Sequence, residues 1–250
     1  KVIDFLDKVC SDQMEKIIDK SYDNLGSYIN SFEQKMVMKR ENLADKALWT
    51  AKKRYILNVY DSEGVRYEEP KLKMMGVEAI RSSTPTACKE KMKHLFKIIM
   101  NGTEDDVITY IDDFRKEFMT LGAEEIFFPR SVRGLEKYHD AAHLHKKGAP
   151  IHVKAALLYN KLLKDHKLVN DYPTIKDGEK IKFAYLKKQN TTGGESIAIL
   201  NQLPHEFGIQ EYIDYDKMFE KSFTEPMTNI MDAVGWKMKH IATLESFFGN

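Results

Sequence analysis

Met14, Ile17, Ile18, Tyr22, Leu25, Tyr28 and Ile29 recur at helical spacing, which predicts an amphipathic helix over residues 14–29 with Ser11 as its cap. The period changes at 53–60, where KRYILNVY is dense in β-branched and aromatic side chains and reads as a strand. Asp61, Ser62, Glu63 and Gly64 make a turn into a second short strand, VRYEE. Thr84 before Pro85 reads as an N-cap followed by a first-turn proline. The helix it opens puts Cys88, Met92, Leu95, Phe96 and Ile99 on one face and stops at Asn101-Gly102, where glycine tolerates positive φ. Thr103 with Asp106 three residues on is a capping-box start. Glu104, Asp105 and Asp106 lie in the first turn, which the helix dipole favours for anions. Val107, Ile108, Ile111, Phe114 and Phe118 make the buried face of this second helix, with Gly122 as its end. So short a connection predicts an antiparallel helical hairpin.

Residues 124–150, with Pro129, Gly134, Gly148 and Pro150, read as loop with a short helix. A helix follows at 151–166, with Val153, Ala156, Leu157 and Leu163 inward. At 180–186, Ile181, Phe183 and Tyr185 alternate with Lys180, Lys182 and Ala184, the pattern of a half-buried strand. Gly193-Gly194 turns the chain back onto 196–200 as a small hairpin. Ser222-x-x-Glu225 is a capping box for a last helix that Gly235 ends. The class is α+β and helix-rich, with strands near 53–67 and 180–200.

A chain of 250 residues buries a real core as one large domain or two small ones. It starts at Lys1 rather than at a methionine, so we expect a processed product or a piece of something longer. No apolar run suits a membrane-spanning helix, and the frequent charges of the first 25 residues do not suit a secretory signal. Two isolated thiols, Cys10 and Cys88, suit a reducing compartment without disulfides or a zinc cluster. The formal net charge is only +1, so total charge carries no argument for a polyanionic partner; its distribution does. Residues 35–55 are net +5 and 130–164 net +6, whereas 1–34, 101–125 and 195–225 are net −3, −6 and −5. Such blocks can give one positive and one negative face.

Few residues suggest self-contained chemistry. Asp112 and Asp113 are adjacent, but neighbours on a helix point about 100° apart and do not converge on one ion. His139 and His143 are four apart, the spacing of two zinc ligands on a helix, with Asp140 between them and His145 and His152 nearby. Lys146 and Lys147 oppose a cation there, and no third ligand has an obvious spacing. Phosphate-binding glycine loops and the G-x-S-x-G elbow are absent. Neither cysteine has a histidine beside it in sequence to activate a thiol. No catalytic residue is assigned.

Two features point to binding. Lys52-Lys53-Arg54-Tyr55 is a basic run opening a strand; alternation places Lys53 and Tyr55 on one face, a cation and a phenol suited to a phosphate and a sugar or base edge. A charged strand start over a core aromatic fits the spacing equally well. At the other end, Leu244, Phe247 and Phe248 stand at helical-turn spacing within the final seven residues. So apolar a terminus either tucks onto its own core or docks as a short helix in another protein's groove.

KKRYILNVYDSEGVRYEEPKLKMMGVEAIRSSTP, GAPIHVKAALLYN and the terminal L-x-x-F-F together resemble the family B replicative DNA polymerases of T-even-type tailed bacteriophages. The resemblance covers almost the whole chain but only the C-terminal third of such an enzyme. It implies the C-terminal part of a palm (helix plus strands) in 1–80, a mostly helical thumb with a small β-hairpin in 81–240, and a clamp-binding tail in 241–250. The D-x-x-S-L-Y-P-S, K-x-x-x-N-S-x-Y-G and D-T-D-S motifs of the family are absent. Its catalytic aspartates, which hold Mg2+ in a two-metal mechanism, therefore lie outside this chain, as does the proofreading exonuclease. No cofactor or metal site is expected in the chain itself. It is either a fragment or one polypeptide of a polymerase split between genes.

The same resemblance implies that Lys53 and Tyr55 contact the primer strand near its growing end, flanked by Lys52 and Arg54. It brings Ser82, Ser83 and Thr84 near primer phosphates, where a helix N-terminus suits an anion. Ser131, Arg133, Lys137 and Tyr138, around Gly134, fall in the region that touches duplex backbone, and the positive block at 130–164 agrees independently. Leu244, Phe247 and Phe248 match a sliding-clamp peptide, with Ile241 where many have Gln. The implied partners are primer–template duplex, a sliding clamp and the rest of the polymerase, in the cytoplasm of an infected bacterial host. The alternatives are a non-enzymatic DNA-binding or clamp-binding accessory protein, and a small metal hydrolase built on His139 and His143.

Overall fold

An ion network ties the helix of the N-terminal region to its sheet. The computed structural model describes residues 1–239. It forms two compact units, Lys1–Gly76 and a second beginning at Val77. In the first, α1 (Val2–Val9) runs through a π-helical turn, Cys10–Met14, into α2 (Glu15–Tyr28), and none of these residues is buried. The helix is thus longer than the 14–29 expected. Ser11 does not cap it: Ser11 lies in the π turn and donates its hydroxyl to the Asp7 and Lys8 carbonyls.

β1 (Asn42–Ala51), β2 (Arg54–Ser62) and β3 (Val65–Met75) form an antiparallel sheet in that order. β1 was not legible in the sequence, and β3 extends well past VRYEE. Glu63 and Gly64 make the β2–β3 turn, both at positive φ (52° and 87°), the backbone twist that matches a two-residue hairpin. Asp61, 1% exposed on its side chain, is the hub beside this turn. It accepts from Arg40 Nη1 at 2.5 Å, Arg66 Nε at 3.1 Å and the Gly64 N–H at 3.0 Å. The two arginines reach on to α1: Arg40 Nη2 to Asp7 at 2.7 Å and Arg66 Nη1 to Asp4 at 2.7 Å.

In the second unit α3 (Thr86–Asn101) and α4 (Glu104–Phe118) form the expected helical hairpin. Thr103 and Asp106 make the capping box, and the five residues assigned to the buried face of α4 are all buried. On α3, Met100 is buried where Ile99 was expected. Gly102 is not at positive φ (−108°). It is glycine for space: a Cβ there would lie 2.9 Å from Asp106 Oδ2 and 3.1 Å from the Ile98 carbonyl. Pro85, not Thr84, occupies the N-cap of α3. The helix α4 ends at Phe118, and Gly122 instead opens α5 (Ala123–Ile126).

The stretch expected to be mainly loop contains β4 (Phe128–Ser131), α6 (Leu135–Tyr138), and the short pair β5 (His139–Asp140) and β6 (Leu144–His145). α7 (Ile151–Asp165) follows, with Val153, Ala156, Leu157 and Leu163 buried as expected. β7 (Lys180–Tyr185) pairs with β8 (Ser196–Ile199), the expected hairpin, but also with β4, so the sheet has three strands in the order β4-β7-β8. α8 (Tyr215–Phe219) passes through a π turn, Glu220–Thr224, into α9 (Glu225–Val234), which Gly235 ends at φ 82°. The cap of this composite helix is Asp214, which accepts from the Lys217 N–H at 3.0 Å. Ser222 caps nothing: it is buried within the helix, donates to the Met218 carbonyl at 2.6 Å and accepts from the Cys88 thiol at 3.3 Å. Phe114 and Phe118 meet Phe219 at tilted and edge geometries, with centroids 5.7 and 5.2 Å away, and so join the hairpin to the last helix. Burial pushes the Cys88 thiol up to about 11, which keeps it un-ionised and inert at neutral pH.

The Asp61 hub makes the first unit acid-sensitive. Desolvation raises the Asp61 carboxyl, but the Arg40 and Gly64 donors outweigh it and hold the group below its ordinary 3.8. A depressed folded pKa stabilises above the unfolded value, and that stability is lost as pH falls through the folded one. We therefore expect the first unit to melt lower at pH 3 than at pH 7. Asp61→Ala, which leaves two guanidinium groups without their shared anion, should cost about 3 kcal/mol and abolish much of that pH difference. Thermal melting with amide exchange of residues 2–28 measures both.

Candidate nucleic-acid interface

Lys52 and Lys53 do not open a strand. They are the two-residue turn between β1 and β2, closed by the Ala51–Arg54 pair. Both are exposed, and Lys53 sits at φ 61°. The alternation that put Lys53 and Tyr55 on one face therefore does not apply: Lys53 is at the apex, and only Tyr55 follows the pleat. The residue that follows β3 lies against this turn. A Cβ on Gly76 (φ 68°) would lie 2.3 Å from the Lys53 carbonyl and 3.0 Å from Arg54 Cγ, so only glycine admits this approach. Arg54 and Tyr55 are half-buried at the start of β2, with Tyr55 between Trp49 of β1 and Met75 of β3.

In the second unit Ser82 is exposed, Ser83 half-buried and Thr84 only 6% exposed. The Thr84 hydroxyl donates to the Glu78 carbonyl at 2.7 Å and faces inward. Of this trio the two serines alone offer accessible hydroxyls ahead of α3.

Ser131, Arg133 and Lys137 are exposed and Tyr138 half-buried. The Asp177 carboxylate, from the loop before β7, fixes this segment by accepting from the Gly134 N–H at 3.0 Å and the Leu135 N–H at 2.8 Å. Those two donors hold the Asp177 carboxyl below its usual range. Gly134, at φ 82°, lies against the Tyr138 ring, and Lys137 Nζ stands 5.2 Å from that ring's centroid. Pairing of β4 with β7 brings Lys180 opposite Ser131 and Lys182 opposite Pro129, with both lysines exposed. Sequence reasoning missed these two cations. The Lys/apolar alternation of 180–185 was their signal, but only the pairing with β4 shows which residues they stand beside.

His139 and His143 are not on a helix: His139 is in β5 and His143 in the turn after it, where Asp140 accepts from the Ala142 and His143 N–H groups. Asp112 and Asp113 are both exposed on α4. Among the described residues no group of three His, Cys, Asp or Glu side chains is placed to hold a metal ion. No helix among them is long and apolar enough to cross a membrane. Leu244, Phe247 and Phe248 lie outside the described residues.

Each unit thus presents an exposed cationic segment, the Lys52-Lys53 turn in the first and Arg133 with Lys137 in the second. The model of DNA polymerase family B matches residues 8–234. The DNA-directed DNA polymerases of Enterobacteria phage T4 and Escherichia phage RB69 are each 32% identical over 260 residues, covering 99% and 98% of this chain. The chain belongs to DNA polymerase family B. It spans 28% of the length of those two relatives.

Gly76 is the point at which this geometry can be broken without touching a charge. Gly76→Ala should lower the stability of the first unit by at least about 1 kcal/mol, as expected for a side chain forced into positive φ. It should also displace the Lys52-Lys53 turn, read as altered amide shifts at 52–55.

Proposed function

We propose that the chain is the thumb and adjoining palm portion of a phage DNA-directed DNA polymerase, and that it grips primer–template duplex through the backbone. The carrying observation is the family match over 8–234 together with the exposed Lys52-Lys53 turn that Gly76 holds in shape. Cations at the tip of a short, pinned turn neutralise phosphates without reading bases, which suits an enzyme that must accept every sequence. Tyr55 meets the primer strand, and in the second unit Ser82, Ser83, Ser131, Arg133 and Lys137 make backbone contacts of their own. Nucleotidyl transfer belongs to the complete enzyme, whose aspartates and Mg2+ come from sequence outside this chain. That remainder, in the same or a separate polypeptide, covers apolar side chains such as Phe5, Ile17, Leu25 and Phe32, which the first unit leaves exposed. The working place of such an enzyme is the cytoplasm of the infected bacterium.

Duplex binding by the isolated chain tests this reading. Affinity should fall steeply with salt and be independent of sequence, each phosphate neutralised contributing about −0.9 to the slope of log K against log salt. Lys53→Ala should reduce the slope by about that amount for all sequences alike. A base-specific loss, or binding indifferent to salt, is incompatible with a backbone grip.

The L-x-x-F-F tail tethers the polymerase to a sliding clamp, with Leu244, Phe247 and Phe248 as anchors. Burying each contributes about 1.5–3 kcal/mol, offset by ordering of the peptide and loss of free motion, so micromolar affinity is expected. Deleting residues 241–250 should abolish clamp binding in a titration and leave the melting temperature nearly unchanged. A large drop in melting temperature, with no clamp binding by the 241–250 peptide, makes the tail structural instead.

A further inference from the structure

Trp49 is 65% exposed on β1, and Met75 is 44% exposed on β3. The register places Trp49 opposite Tyr55 and Tyr55 opposite Met75, so the three side chains share one face of the sheet in a row across the strands. The other face takes Ile56 and Asn58, which are buried. Between Trp49 and the turn the register shifts at Thr50, whose hydroxyl donates to the Arg54 carbonyl at 3.5 Å. A bulge of this kind re-aims the neighbouring side chain. The row therefore ends immediately beside Lys52 and Lys53, and residues 46–57 contain no acidic side chain. An exposed indole beside a cationic turn matches a ligand that presents apolar rings between anions. The deoxyribose-phosphate backbone is such a ligand: its phosphates answer the lysines and its sugar faces answer the indole. An apolar protein surface would cover the indole but leave the lysines unmatched.

We propose that Trp49 is a duplex-binding residue, its indole packed with Met75 against the deoxyribose faces of the strand whose phosphates Lys52 and Lys53 neutralise. This rests on reading the turn as a duplex contact, and the test separates the two. The chain has two tryptophans, so Trp236→Phe leaves Trp49 as the only indole. Its emission should change on titration with a primer–template duplex, in step with the anisotropy of a labelled duplex, and return when salt releases the DNA. In the otherwise native chain, Trp49→Ala should weaken duplex affinity about fivefold, the low end for loss of one aromatic contact to nucleic acid. Trp49→Phe should keep most of the affinity. An apolar contact releases no counterion, so Trp49→Ala leaves the salt slope unchanged, whereas Lys53→Ala reduces it by about 0.9. If the duplex binds and Lys53→Ala lowers the slope while Trp49 emission and Trp49→Ala affinity are unmoved, the Trp49 assignment is overturned and the turn remains a contact. If the chain binds no duplex at all, both readings fall.

Discussion

Asp61 is the constraint on which the first unit depends. Its carboxylate is taken out of water, a placement tolerable only with donors on every side. Arg40, Arg66 and the Gly64 N–H supply them. Each guanidinium is shared between this buried carboxylate and one on α1, Arg40 with Asp7 and Arg66 with Asp4. The helix fully buries no side chain of its own, so these directional ion pairs carry much of its attachment to the sheet. Ile56 and Val59 are the fully buried aliphatic residues of the sheet's central strand.

The second unit is built the other way. Phe96, Phe114, Phe118, Phe219 and Phe223 are buried in it, and the apolar faces of α3, α4 and α7 are closed over. Its polar groups inside the core are few and mutually satisfied, as with Cys88, Ser222 and the Met218 carbonyl. One unit carries an aromatic core of its own, and the other is a three-stranded sheet with an ion-paired helix.

Both cationic segments follow one design. A flexible lysine is effective only if its backbone is held, and in each case another stretch of chain does the holding. Gly76 admits the Lys53 carbonyl against the end of β3. Asp177 binds the two N–H groups that open α6, next to Arg133 and Lys137. Each limits the backbone conformations open to the cations beside it.

Local patterns alone determined α4 and its capping box, α7, the β7–β8 hairpin and the stop at Gly235, because each rests on neighbours within a few residues. The family was legible too, since it resides in strings such as KKRY and EPKLKMMG rather than in contacts. Tertiary structure decided what local rules left ambiguous. Ser222-x-x-Glu225 reads as a cap, yet Asp214 begins the helix earlier and Ser222 turns back to the Met218 carbonyl inside it. Thr84 before Pro85 reads as a cap, yet its hydroxyl serves Glu78. β1 escaped notice because NLADKALWTA has no clean alternation, and only pairing with β2, through bulges, makes it a strand. For the same reason Lys53 moved from strand to turn and Trp49 came to stand beside Tyr55: register is a property of two strands, and one strand's sequence does not contain it.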